Sequence, residues 1–166
     1  MRHIISILVE NQFGVLARVS GLFSARGYNI DSLCVAETED PAVSRMTVVV
    51  RGDDLVLAQI EKQLKKLVET IDVEDLTGIA HVERELVMVR VKAKGKKRSE
   101  VIEIANIFRA KVVDLSPDSI VVEATGSAGK VKAFVDMMHP FGIEELVRTG
   151  KIAIGRSLNN NEAKGR

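Results

Sequence analysis

The chain carries the same order of predicted secondary-structure elements twice, and this repeat limits its fold more than any other feature of the sequence. In the first copy, a strand-like run from Arg2 to Val9 precedes a helical pattern, two strand-like runs, a second helical pattern and a last strand. The second copy begins near residue 84 and follows the same order. Such an order places one antiparallel sheet against two helices that cover a single face.

Apolar spacing indicates where the helices of the first copy lie. Apolar residues recur every three or four positions from Val15 to Phe23, and Gly27 ends that helix. Asp53 or Asp54 caps the second helix, whose buried stripe consists of Leu57, Ile60, Leu64 and Leu67. We therefore predict an α+β chain of two tandem ferredoxin-like βαββαβ sandwiches.

The boundary between the two copies is predicted near residues 77–83. We assign residues 1–78 to the first domain, residues 79–157 to the second, and the polar residues 158–166 to a disordered tail. The two copies share the order of their predicted elements without obvious residue identity. Each has about the size at which a lone hydrophobic core is only marginally stable, so we expect docking or oligomerisation.

Composition excludes several classes of partner. The 166 residues have a net charge of +1, no Trp and one Tyr, which argues against a nucleic-acid partner. The single cysteine, Cys34, excludes an internal disulfide and suits a reducing cytosol. No apolar stretch approaches a membrane span, and the first residues lack a signal-peptide cleavage site. We expect a soluble cytoplasmic protein.

No group of residues has the spacing of a catalytic or metal site. The sequence "GSAGK" at 126–130 is too short for a phosphate loop, and a Ser127 helix cap explains it better. Cys34 is expected to be a small buried thiol. The basic run "KAKGKKR" at 92–98 is typical of a solvated hairpin or helix start, with an acidic partner surface as a secondary possibility. The histidines lack metal-ligand spacing; they are His3, His81 and His139.

The joint between the first strand and the first helix is a candidate anion site. The sequence "NQFG" separates the strand from a helix that starts with Val15 and Leu16. The first N–H groups of a helix have no partners within it, and the helix dipole is positive there. Gly14 removes the side chain that would keep a carboxylate from those amides. The alternative is that Asn11 makes an Asx turn and Gly14 only starts the helix.

A second glycine and asparagine lie at the other end of the same helix, in "RGYNIDSL". The carbonyl of Asn29 can accept from an ammonium group, and Ile30 adds an apolar wall. Asn29 lies a helix length from Gly14, so one subunit cannot use both on one small ligand. Two subunits related by a two-fold axis can.

These residues resemble a known family. The stretch "ILVENQFGVLARVSGLFSARGYNIDSL" resembles the opening of an ACT domain, a small amino-acid-sensing module. With "VAETEDPAVSRMTVVVRGDD" and "AHVERELVMVRV", the chain is similar to the regulatory small subunits of acetolactate synthase, from Met1 to about Ser157. The N-terminal sandwich would then be the ACT domain and the C-terminal one a second ferredoxin-like domain.

The resemblance implies a non-catalytic role in branched-chain amino-acid biosynthesis. It implies an ACT homodimer that activates a large catalytic subunit and makes it sensitive to feedback inhibition by a branched-chain amino acid, typically valine. Thiamine diphosphate, magnesium and FAD would reside on the catalytic subunit and none on this chain. Asn11, Gly14, Val15 and Leu16 of one protomer would meet the carboxylate and side chain of the effector, and Asn29 and Ile30 of the other would complete the pocket.

Three alternatives stay open at this stage. An acylphosphatase-type enzyme would need an arginine in the first strand–helix loop, where this chain has "NQFG". A transcriptional regulator would need a DNA-reading segment that the two repeats do not leave over. An ACT sensor for a different amino acid and partner is the most serious alternative.

Overall fold

The computed structural model describes residues 2–157, and for Val56 it describes the backbone only. The first copy of the repeat contains six elements: β1 (Arg2–Glu10), α1 (Val15–Ser24), β2 (Ile30–Glu37), β3 (Val43–Arg51), α2 (Asp54–Leu64) and β4 (Thr70–Asp75). The second contains β5 (His81–Lys92), α3 (Lys96–Ile107), β6 (Lys111–Leu115), β7 (Ser119–Gly126), α4 (Ala128–Met138) and β8 (Ile143–Arg148). A short 3₁₀ turn (His139–Phe141) precedes β8, and β9 (Ile152–Gly155) follows it.

The first compact unit comprises residues 2–82 together with residues 152–157 of the described chain. Its antiparallel sheet has the strand order β2-β3-β1-β4. Alternate residues of β1 face the two helices because side chains along a strand alternate between the sheet faces. The resulting core contains Ile5, Ile7, Val9, Val15, Val19, Phe23, Met46, Val48, Val50, Leu57, Ile60, Leu64 and Val73.

The second compact unit comprises residues 83–151. Its strand order, β6-β7-β5-β8, repeats that of the first unit. Val87, Val89 and Val91 of β5 belong to a buried cluster against α3 and α4. Within this unit the rings of Phe108 and Phe134 meet edge to face, with centroids 5.6 Å apart. The predicted pair of tandem ferredoxin-like sandwiches is confirmed.

The C-terminal residues differ from the predicted domain limits. The segment 143–157 was expected to contain one last strand of the second domain, but it forms two strands separated by a turn in which Gly150 has φ +82°. The second of them, β9, pairs with β5, and the Arg156 N–H donates to the Ala80 carbonyl at 2.8 Å. Residues 152–157 therefore group with the first unit. The predicted tail at 158–166 lies outside the described residues.

Two smaller predictions have different outcomes. Ser127 caps α4 as expected, since its hydroxyl accepts from the Lys130 N–H at 3.5 Å. Cys34 was expected to be buried, but it lies on the edge strand β2 and is only half-buried.

In residues 2–157, no helix is long and apolar enough to cross a membrane. In the same range, no three His, Cys, Asp or Glu side chains are grouped to hold a metal.

Candidate functional site

The joint between β1 and α1 is an open helix start. Gly14 is the N-cap of α1 and has φ +83° and ψ −6°, a left-handed conformation that favours glycine. A Cβ atom built on Gly14 would have no neighbouring atom within 4 Å. Glycine therefore suits residue 14 because of its backbone conformation, and the structure leaves open space beside its Cα.

Backbone amides at this helix start face that space. The Val15 N–H donates to the Gln12 carbonyl at 3.4 Å, and the helical ladder starts with Arg18 N–H donating to the Gly14 carbonyl at 3.0 Å. The N–H groups of Leu16 and Ala17 lie between these two bonds and have no acceptor within the helix. The first turn of α1 also contains no acidic residue. The positive end of the helix dipole is therefore not offset by an acidic side chain of the first turn.

The side chain of Asn11 is held by the turn between β2 and β3. Its Nδ2 donates to the Pro41 carbonyl at 2.9 Å and to Oε1 of Glu37 at 3.1 Å, and its backbone N–H donates to the Ala42 carbonyl at 2.7 Å. Both Nδ2 hydrogens are used, and within the described residues Oδ1 makes no hydrogen bond, so the Asx-turn alternative is not what the structure shows. The free acceptor suits an ammonium group better than a carboxylate.

Val15 and Leu16 differ in what they can offer a ligand. Val15 is 3% exposed and belongs to the core of the first unit, so only its backbone faces the joint. The Leu16 side chain is 41% exposed and can contact an apolar group. Phe13, in the loop beside them, is fully exposed, and the sequence analysis did not single it out. Its only signal in the sequence was an aromatic residue in a short polar loop.

The other predicted residues lie at the far end of α1. Asn29 is exposed just before β2, and Ile30 is half-buried against the core of the first unit. Ten helical residues span about 15 Å, so the structure does not bring Asn29 and Gly14 together within one chain. The two groups form a single site only if a second chain supplies one of them.

Two long-range contacts that the sequence analysis missed lie at α1 and at the loop that follows it. The Tyr28 hydroxyl donates to the Asp53 carbonyl at 3.1 Å, and its ring lies where a Cβ on Gly52 would be. At the joint, Arg18 pairs with Glu69 at 2.6 Å. This ion pair is half-exposed on the arginine side, so its stabilisation is expected to be below about 1 kcal/mol. Both contacts join residues too distant in sequence for local patterns to pair them.

Comparison with protein families matches both copies of the repeat. Residues 5–72 match the model described as AHAS small subunit-like ACT domain. Residues 84–157 match the model described as small subunit of acetolactate synthase. Together the two matches cover most of the chain and fall on the two repeats.

Individual relatives agree with the family models. The chain is 56% identical over 156 residues to a probable acetolactate synthase small subunit of Archaeoglobus fulgidus, which covers 94% of this chain and 98% of the relative. It is 47% identical over 162 residues to an acetolactate synthase small subunit of Aquifex aeolicus, covering 97% of this chain and 84% of the relative. The crystal structure of an acetolactate synthase small subunit from Thermotoga maritima superimposes with a TM-score of 0.87 at 38% identity, covering 96% and 99% of the two chains. This chain belongs to the acetolactate synthase small subunit family, with an ACT domain as its N-terminal sandwich.

Proposed function

We propose that this chain is the regulatory subunit of a cytoplasmic acetolactate synthase in branched-chain amino-acid biosynthesis. It binds the large catalytic subunit, raises its activity and makes it subject to feedback inhibition by valine or a related amino acid. The open helix start at Gly14 carries the proposal, because it offers unpaired amides without offering a nucleophile or a general base. The chain itself is not catalytic, and thiamine diphosphate, magnesium and FAD belong to the catalytic subunit.

In this proposal the effector lies between two ACT domains of a homodimer. The N–H groups of Leu16 and Ala17 bind its carboxylate in front of Gly14, and Oδ1 of Asn11 accepts from its ammonium group. Leu16 contacts its side chain, and Val15 contributes backbone only. Asn29 and Ile30 of the second protomer complete the pocket.

The energies suit a reversible sensor. The helix dipole contributes about 0.3–1 kcal/mol when exposed and up to about 2 kcal/mol when partly buried. Hydrogen bonds to a charged acceptor add about 1.5–3 kcal/mol each before the costs of association. The sum is compatible with affinities from about micromolar to millimolar. Inhibition then needs a coupling of about 1–3 kcal/mol between effector binding and the state of the catalytic subunit.

The test is to mix the purified chain with the catalytic subunit of the same organism and to measure acetolactate formation with and without valine. Stimulation by the chain and loss of the stimulated activity with valine are the expected results. If leucine or isoleucine reverses the stimulation and valine does not, the proposed partner stands and the effector is that amino acid. Absence of stimulation would refute the proposed partner and favour an ACT sensor with a different one.

A further inference from the structure

Four lysines line one cavity in the second unit, at the joint between β5 and α3. The cavity has a volume of about 600 Å³ and is lined by Lys92, Lys94, Lys96, Lys97, Asp118 and Glu144. Lys94 pairs with Asp118 at 3.1 Å. Among the described residues, the other three lysines have no carboxylate within the 4.0 Å of an ion pair. We call Lys92, Lys96 and Lys97 the lysine cluster.

Two lysines of the cluster, Lys96 and Lys97, lie at the N-terminus of α3, where the helix dipole is positive. The helix starts with Lys96, Lys97 and Arg98, it has no acidic residue in its first turn, and its N-cap Gly95 offers no side-chain hydrogen bond. Cations at a helix N-terminus are unfavourable by the same interaction that makes anions favourable there. Arg98 has a structural reason to be present, since it donates to the carbonyls of Ser116 and Pro117 at 2.7 Å each. Lys96 and Lys97 have no such bond in the described chain, and a local conflict without a structural benefit is expected at functional positions.

The chemistry of the cavity favours an acidic protein surface over a small phosphate. The planar fork of arginine and glycine-rich backbone cradles give compact phosphate sites their geometric specificity, whereas this cavity presents separate ammonium groups on flexible stems. Asp118 and Glu144 in the same wall would repel a compact anion, while an extended acidic face can avoid them. Residues 83–151 also carry more basic than acidic side chains, and residues 1–82 carry more acidic than basic ones. The second unit is therefore the part of the chain that attracts an acidic partner.

We propose that the lysine cluster steers an acidic face of the catalytic subunit toward this chain. This inference rests on the proposed function, because the partner is the catalytic subunit in both. Solvated lysines are scarce in the buried centre of interfaces, and exposed interface charges act mainly on the association rate and its salt dependence. Steering of this kind changes association rates by about 10-fold to 1,000-fold and weakens as salt shortens the Debye length.

The test compares two triple variants of the full chain binding to the catalytic subunit. One variant removes the lysine cluster (Lys92→Gln, Lys96→Gln, Lys97→Gln), and the control removes three lysines near the end of α2 (Lys62→Gln, Lys65→Gln, Lys66→Gln). Both lose the same charge, and thermal unfolding shows whether both are folded. Association and dissociation rates are measured at low and at high salt.

We expect the cluster variant to associate about 10-fold or more slowly than the wild-type chain at low salt, with its dissociation rate within about 2-fold. The control variant should change by less than about 2-fold, and high salt should remove most of the difference. Equal effects of the two variants, or none, would overturn this inference alone. Thermal stabilisation by inorganic phosphate, at matched ionic strength, that only the cluster variant loses would overturn it in favour of a small-anion site. A wild-type chain that does not bind the catalytic subunit would overturn both this inference and the proposed function.

Discussion

Replacing Gly14 with aspartate tests the anion site proposed for the start of α1. A Cβ at residue 14 meets no atom within 4 Å, so the position has room for the first atom of a side chain. It must adopt the left-handed φ of +83°, which costs an ordinary residue about 1–2 kcal/mol. Aspartate is among the residues that tolerate this conformation best, so we expect the variant to fold and to stimulate the catalytic subunit.

The effect on the effector should be much larger than the effect on folding. A carboxylate at residue 14 lies beside the position proposed for the effector carboxylate, and it competes for the same amides. Two like charges about 5 Å apart repel by about 3 kcal/mol at an effective dielectric constant of about 20. Valine affinity should therefore fall by at least about 100-fold, which removes inhibition at ordinary valine concentrations.

Gly14→Asn is the matched control, because asparagine has the same shape and a similar tolerance of the left-handed region without the charge. Acetolactate formation is measured against valine concentration for the wild-type chain and both variants, with thermal unfolding as the check on folding. We expect Gly14→Asn to remain more sensitive to valine than Gly14→Asp by at least about 10-fold. Unchanged valine sensitivity in Gly14→Asp would refute the assignment of the pocket. Equal loss in both variants would show that filling the space matters and that charge does not.

Three further substitutions test the proposed site, the packing of Tyr28 and an ion pair of the second unit. Asn29→Ala should weaken valine binding by about 1–3 kcal/mol in calorimetry, and an unchanged affinity would leave Asn29 as a loop residue only. Gly52→Ala places a Cβ 1.7 Å from Cε1 of Tyr28, so the ring must move and thermal stability should fall by about 1–3 kcal/mol; an unchanged melting temperature would contradict this packing. Glu85→Gln breaks the two-point pair with Arg148 (2.8 and 2.6 Å) and should destabilise the chain by about 1–3 kcal/mol in denaturant unfolding. The hydrogen bond to Glu85 raises the pKa of Arg148 above its usual value, so the contribution of the arginine is lost only in strongly alkaline solution and should be constant across the neutral range.

The order of strands and helices was predictable because apolar periodicity records which face of each element is buried. Phe23, Ile60 and Leu64 lie in the core where the helical spacing placed them. The pairing of β9 with β5 was not predictable from apolar periodicity. A strand of four residues has too few positions for alternation to identify its neighbours, and its pairing with β5 is a long-range property.

The candidate site was predictable where it depends on local chemistry alone. A glycine before an apolar helix predicts an uncapped start, and the structure has one at Gly14. The orientation of Asn11 was not predictable, because its amide is fixed by Glu37 and Pro41, which follow it by 26 and 30 residues. That long-range pairing decides which group of Asn11 is left for a ligand, and it moves the expected contact from the carboxylate of the effector to its ammonium group.

The repeat lets the two strand–helix joints be compared with each other. Gly14 and Gly95 both precede a helix with positive φ, and neither helix has a side-chain cap or an acid in its first turn. The loop of the first joint, residues 11–14, contains no charged side chain, which suits a ligand that carries both a carboxylate and an ammonium group. The second joint carries Lys92, Lys94, Lys96 and Lys97, which repel an ammonium group and attract extended negative charge. The two joints also differ in backbone conformation, since Gly14 has φ +83° and ψ −6° whereas Gly95 has φ +57° and ψ −126°. The small zwitterion proposed for the first joint and the acidic surface proposed for the second therefore correspond to loops that differ in both backbone and side chains.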